Sequence, residues 1–115
     1  MEHKIDIGHL KTFVIADNTL IKKLLNSFVA NVPGQLEELR GFILANDNYN
    51  ASEMAHKLKS PFMYFGLNSV AERLERIEQN IVNIPQNELL DEVESLIEIG
   101  KDCAKQALVY IEELT

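Results

Sequence analysis

The sequence predicts an all-α chain: an antiparallel four-helix bundle with an additional short N-terminal helix. Three observations lead there. Glycine and proline are sparse, five and three in 115 residues, so long helices are left uninterrupted. Apolar residues recur at spacings of three and four, and period-two alternation is scarce. Four stripes of this kind are joined by short connections, the pattern of a bundle with antiparallel neighbours.

The first helix is expected from Ile7 to about Val14, ending near Ala16-Asp17-Asn18, where either polar residue can cap the second helix. Leu20, Ile21, Leu24, Leu25, Phe28, Val32, Leu36, Leu39 and Ile43 carry one stripe to about Ala45. Pro33-Gly34 interrupts it. The apolar phase continues past them, so one bent helix is expected. Residues 46–50 read as a turn, and Asn50 or Ser52 opens the next helix, Asn50 with Glu53 at capping-box spacing. That helix should run through Phe65 and stop or bend at Gly66. Asn68 or Ser69 starts another, Ser69 with Glu72 at the same spacing, with Val70, Leu74, Ile77 and Ile81 as its stripe. Residues 80–87 form a loop, and Pro85 suits a first helical turn. The last helix is expected from about Glu88 to Leu114, with Leu89, Val93, Leu96, Ile97, Gly100, Ala104, Ala107, Leu108, Ile111 and Leu114 on one face.

The length is that of a single domain, residues 1–115. Acidic residues outnumber basic ones 18 to 11, a formal charge of -7, which argues against nucleic acid or an anionic membrane as partner. No apolar run reaches a membrane span, and Met1-Glu2-His3-Lys4-Ile5-Asp6 lacks the apolar stretch of a signal peptide. A cytoplasmic protein is expected. The lone Cys103 excludes an internal disulfide and a multi-cysteine metal site; it reads as a residue at the edge of the core. His3 falls in a frayed N-terminus and His9 on the surface or at a cap, neither with clustered partners for a metal. Glu72, Arg73, Glu75, Arg76 and Glu78 read as a solvated, mixed-charge face. Glu88, Asp91, Glu92 and Glu94 sit where the dipole of the last helix favours them.

The informative segment is Ala55-His56-Lys57-Leu58-Lys59-Ser60-Pro61-Phe62-Met63-Tyr64-Phe65-Gly66. On a wheel of about 100° per residue, Ala51, Met54, Ala55, Leu58, Phe62 and Phe65 fall between about 160° and 260° from His56. They form the core face, and His56 points away from it. Lys59, Ser60 and Ser52 lie one turn from the histidine and Met63 two turns on, all outward. A neutral imidazole is a competent nucleophile near neutral pH. With an ammonium one turn away, its natural electrophile is a phosphoryl group, whose oxygens Lys59 can neutralise. Ser60 is small enough to admit that group or a partner's loops. Gly66 permits a close turn at the helix end. No glycine-rich nucleotide loop is present, so ATP is not the expected direct donor. No Asp or Glu is expected on the His56 face within a turn to orient the ring or hold Mg²⁺, and Glu53 is explained by capping. A histidine with neither base nor metal of its own suits a passive carrier.

His56-Lys57-Leu58-Lys59-Ser60, with Gly66 ten residues after the histidine, resembles the histidine-containing phosphotransfer (HPt) domain of bacterial and eukaryotic phosphorelays. The resemblance covers nearly the whole chain. It implies that His56 is phosphorylated, that Lys59 is the supporting cation, and that Gly66 closes the motif helix. The phosphoryl group would arrive from an aspartyl phosphate of a receiver domain and leave to an aspartate of another. The expected partners are response-regulator receivers and a hybrid sensor histidine kinase. Mg²⁺ would be held by the receiver, and the carrier would have no cofactor and no autonomous kinase activity. Ser52, Lys57, Met63 and Tyr64 would face the partner, and a monomer suits such docking. Two departures stand out: Ser60 replaces the usual glycine, and Pro61 comes directly after it, predicting a local kink near the histidine. The run Phe62-Met63-Tyr64-Phe65 is also heavier than usual. Two other readings stand beside this one. One is a non-catalytic binding or regulatory bundle. The other is the phosphorylatable domain of a larger chemotaxis-type kinase, although a chain running from Met1 to the end of the last helix favours a freestanding protein.

Overall fold

A computed structural model describes residues 3–13 and 17–114. Five helices succeed one another: α1 (Ile7–Phe13), α2 (Asn18–Leu44), α3 (Asn48–Tyr64), α4 (Asn68–Asn80) and α5 (Gln86–Glu113). There is no strand among the described residues. Val14 and Ala16, at the expected end of the first helix, lie outside them. The four longer helices make the bundle: α2 packs against α5 and α3, α3 against α4, and α1 lies on α3. No helix among the described residues is long and apolar enough to cross a membrane.

The core is the set of stripes read from the sequence. Ile21, Leu25, Phe28, Val32, Leu36, Leu39 and Ile43 are buried from α2, and Ala51, Ala55, Leu58 and Phe62 from α3. Val70, Ala71, Leu74 and Ile77 join them from α4. Phe28 meets Phe62 and Phe65 edge to face, with centroids 5.3 and 5.9 Å apart, a geometry that adds to the burial itself. Pro33 and Pro61 are both carried inside continuous helices. α2 is thus a single helix across Pro33, as the unbroken apolar phase predicts. Gly100 of α5 is buried, and a Cβ there would lie 2.5 Å from Leu36 Cδ1, so glycine lets α2 and α5 approach.

The ends of α2 and α3 share one design. Asn46 and Gly66 adopt positive φ, 56° and 77°. Asp47 N donates to Phe42 O and Leu67 N to Phe62 O, both at 2.9 Å. Asn46 N donates to Ile43 O and Gly66 N to Met63 O, both at 3.1 Å. These are paired Schellman closures, which satisfy the last carbonyls of each helix. They make the connections shorter than composition predicts. α3 therefore starts at Asn48 rather than at Asn50 or Ser52, capped by Asp47, whose side chain accepts from Asn50 N at 3.2 Å. α4 starts at Asn68 straight from the second closure, with Leu67 at the cap and no side-chain cap bond. Ser69 is thus inside the helix, and its expected box with Glu72 does not form. Asp17 does cap α2, accepting from Thr19 N at 2.8 Å.

Other expectations are corrected by packing. α5 begins at Gln86 with Pro85 at its cap, one step before the expected first turn. Its C-terminal face is narrower than the stripe implied: Leu108 is 52% exposed while Cys103 is fully buried. Burial and the nearby Asp102 push the Cys103 thiol up to about 12, where it stays protonated. His3 is pinned rather than frayed. Gln106 accepts from Ile5 N at 2.9 Å and donates to His3 O at 2.7 Å, and Ile5 is buried. The acidic residues of α5 are tied across helices instead of merely favouring its dipole. Arg73 reaches Glu92 through Nε and Nη2 at 3.0 and 2.6 Å, Arg76 pairs with Glu88 at 2.9 Å, and Arg40 pairs with Glu94 at 3.3 Å.

Candidate functional site

His56 stands mid-way along α3, on the side opposite Ala55 and Leu58, which are fully buried. Its side chain is 66% exposed. The wheel therefore holds: the ring looks away from the core. The unexpected neighbour comes from the next helix. His56 Nδ1 lies 2.8 Å from Glu78 Oε2 on α4. Glu78 Oε1 lies 2.7 Å from Lys59 Nζ, and Glu75 Oε1 is 3.6 Å from the same ammonium.

Lys59 is consequently not the outward-pointing side chain that the wheel suggests. It is 18% exposed and leans across the seam onto α4. Its ammonium is held above the ordinary lysine pKa, first by the hydrogen bond to Glu78, against partial desolvation, and further by Glu75. Burial works to raise the Glu78 carboxyl. The hydrogen bonds from Lys59 and His56 outweigh it, and the group stays below the usual carboxylate range. Glu78 is thus an anion at neutral pH. A carboxylate can only accept, so Nδ1 of His56 carries the proton. In the neutral form of such a ring the lone pair is on Nε2, which has no hydrogen-bond partner among the described residues. A hydrogen bond at one ring nitrogen selecting the state of the other is how proteins orient imidazoles.

α4 is anchored at this point by Ser52, whose hydroxyl donates to the Glu78 carbonyl at 2.9 Å. This half-buried serine is thereby engaged inside the hairpin. Glu53 is exposed and caps nothing. Ser60, Lys57, Met63 and Tyr64 are exposed around the histidine. Two shallow grooves flank it on the α2 side. One is lined by Phe42, Asn50, Glu53, Met54, His56 and Lys57. The other has Leu24, Phe28 and Val32 facing Lys57, Pro61 and Tyr64. Gly66 turns the chain with φ 77°, and a Cβ there would meet Asp6 and His9 of the N-terminal segment at 3.3 Å. Asp6 N also donates to Phe65 O at 2.9 Å. Gly66 therefore both ends the motif helix and seats α1 against it.

Glu78 is the residue that single-helix reasoning missed. A signal for it exists in the spacing. The α3–α4 turn is tight, so residues equidistant from Leu67 face each other: His56 and Glu78 are each eleven positions away, Lys59 and Glu75 each eight. No cluster of His, Cys, Asp and Glu among the described residues is arranged to hold a metal ion.

The site combines an exposed imidazole held at Nδ1 with a cation one turn away, an arrangement able to carry a phosphoryl group. Comparison with known families agrees. The model of the Hpt domain matches residues 23–113. No curated protein and no solved structure matches the chain. The matched segment contains α3, α4, α5 and most of α2, with His56 within it. The chain belongs to the Hpt domain family, and its role is histidine phosphotransfer in phosphorelay signalling rather than that of a kinase.

Proposed function

We propose that His56 is the phosphorylated residue, taking a phosphoryl group from an aspartyl phosphate of one receiver domain and delivering it to an aspartate of another. The observation that carries this reading is the disposition of the ring: Nδ1 is bound to Glu78 at 2.8 Å while the side chain is 66% exposed. In acceptance, the Nε2 lone pair forms the N–P bond as the P–O bond to the donor aspartate breaks. The receiver supplies Mg²⁺ to neutralise the phosphoryl oxygens, and Lys59 adds a second cation from this side. Lys57, Met63 and Tyr64 form the rim on which the receiver seats, and Ser60 leaves room above the ring. A hybrid sensor kinase is the upstream source.

The test is incubation with a phosphorylated receiver domain and Mg²⁺. Acid-labile phosphate should move to the protein, and H56Q should take up none. Equal labelling of H56Q and wild type removes His56 from the reaction.

A further inference from the structure

Pro61 is the departure in the motif helix that the carrier role leaves unexplained. Resting on the assignment of the chain as a carrier for receiver domains, we propose that Pro61 is a specificity-determining residue. It frees the backbone carbonyl of Lys57 as a hydrogen-bond acceptor in the groove beside His56. A receiver that presents an uncharged N–H or O–H there is selected over one that presents carbon.

In a helix the carbonyl of each residue is met by the N–H four positions on. Proline has no N–H, so Pro61 leaves Lys57 O without that donor inside α3. No other carbonyl from Asn48 to Ser60 faces a proline four positions on. Helical carbonyls point along the axis toward the C-terminus, which sets Lys57 O between Lys57 and Pro61. Both residues line the groove between α2 and α3, with Leu24, Phe28, Val32 and Tyr64 around them. Asn31, on the α2 wall, donates to Ser27 at 3.2 Å, and no side-chain hydrogen bond among the described residues ends on Lys57 O. Pro33 supplies a comparison within the molecule. It deprives Val29 O of its donor in α2, but neither Val29 nor Pro33 lines this groove. At Pro61 the lost donor coincides with the surface beside the histidine.

Lys57 is exposed, so water serves its carbonyl while the groove is open. A receiver that covers the groove expels that water. If it brings a donor, one hydrogen bond replaces another at little net cost. If it brings carbon, the acceptor is buried unpaired, a penalty larger than the gain from an ordinary bond. Discrimination therefore comes from rejecting the wrong receiver as much as from holding the right one. The ammonium of Lys57 stands on the same rim and repels a cationic donor. The hydroxyl of Ser or Thr, or the amide of Asn or Gln, fits, set in an apolar surface that matches Leu24, Phe28 and Val32.

The experiment compares full-length wild type, P61V and P33V as acceptors from a panel of isolated, phosphorylated receiver domains with Mg²⁺. P61V keeps an apolar side chain of similar size and restores the N–H. The ratio of kcat/KM between the best and the poorest receivers should fall about three- to tenfold in P61V. The change should lie in KM, with kcat at saturation unchanged. P33V should keep the wild-type ratio. An unchanged ratio in P61V overturns the proposal, and a uniform loss of activity across the panel, as from a disturbed helix, counts as unchanged. An equal fall in P33V, or a fall carried by kcat, also overturns it. Long-range HNCO spectra of the free protein test the carbonyl without a partner. A through-hydrogen-bond coupling from any amide to the Lys57 carbonyl carbon in wild type overturns the proposal; P61V should show one from the amide at position 61. If no receiver labels His56, the carrier assignment fails and this inference with it. If receivers label His56 with equal ratios in wild type and P61V, this inference alone fails.

Discussion

Toward α4, His56 is bordered by charge. Glu78, Lys59 and Glu75 form a chain of contacts between 2.7 and 3.6 Å that ends on the imidazole. Toward α2 it is bordered mostly by carbon: Phe42 and Met54 beside it, then Pro61, Tyr64 and the floor of Leu24, Phe28 and Val32. Among the described residues lining those two grooves, Glu53 is the single carboxylate, in a chain with 18 acidic residues. The difference separates two tasks. The charged flank fixes the chemical state of the ring through atoms that leave little freedom. The apolar flank offers area without competing for the ring's hydrogen bonds, and with Glu53 as its one carboxylate it suits the docking to an acidic receiver pocket proposed above.

The contrast can be broken in several ways. H56Q, where the two flanks meet, should abolish receiver-dependent labelling while circular dichroism stays that of the bundle. G66A comes next. A left-handed position costs a residue with a Cβ about 1–2 kcal/mol, and Asp6 and His9 crowd the new methyl group at 3.3 Å. Chemical denaturation should show that loss, and unchanged stability would mean that α1 is not seated on this turn.

K59A probes the charged flank alone. It should slow transfer about tenfold at saturating receiver, with little effect on receiver affinity. Y64A probes the other flank and should do the reverse, weakening affinity by about 1 kcal/mol or less with an unchanged rate at saturation. If both variants changed affinity and rate together, the division of labour would be wrong.

The smallest effect is a pH dependence. The Arg73 hydrogen bond, against partial desolvation, holds the Glu92 carboxyl below its usual range, and Glu78 is lowered by Lys59 and His56 despite burial. A depressed carboxyl contributes stability that is present above the unfolded-state pKa and is lost as pH falls through the folded-state value. Stability should therefore decline from the ordinary carboxylate range downward. After discounting for solvent screening, E92Q should remove about 0.5 kcal/mol of that decline. An acid limb identical in E92Q and wild type would leave the Arg73–Glu92 pair without a stabilising role.

Much of the site was legible along one helix. Leu58, Phe62 and Ala55 define a core face, and the same arithmetic that buries them turns His56 to water. Gly66 was readable because few residues but glycine close a helix through positive φ. What one helix could not reveal was the fate of Lys59. A wheel assigns a direction to Cβ, but a lysine has a long, flexible stem with which to reach toward an electrostatic gradient. Ser52 illustrates the same limit: its place on the wheel suits a docking partner, yet its hydroxyl reaches Glu78 O on α4. Capping was misplaced at Asn50 and Ser69 because two Schellman closures, through Asn46 and Gly66, shorten both connections.

By itself the sequence determined the helices, their buried faces and the outward histidine, because these arise from periodicities of the chain and the free energy of removing apolar stripes from water. Only the tertiary structure decided which nitrogen of that histidine is open. Its tautomer depends on a carboxylate 22 positions later in the chain. That carboxylate reaches the ring once α3 and α4 have docked in a particular register, and a hydrogen bond is sensitive to fractions of an ångström that apolar burial tolerates.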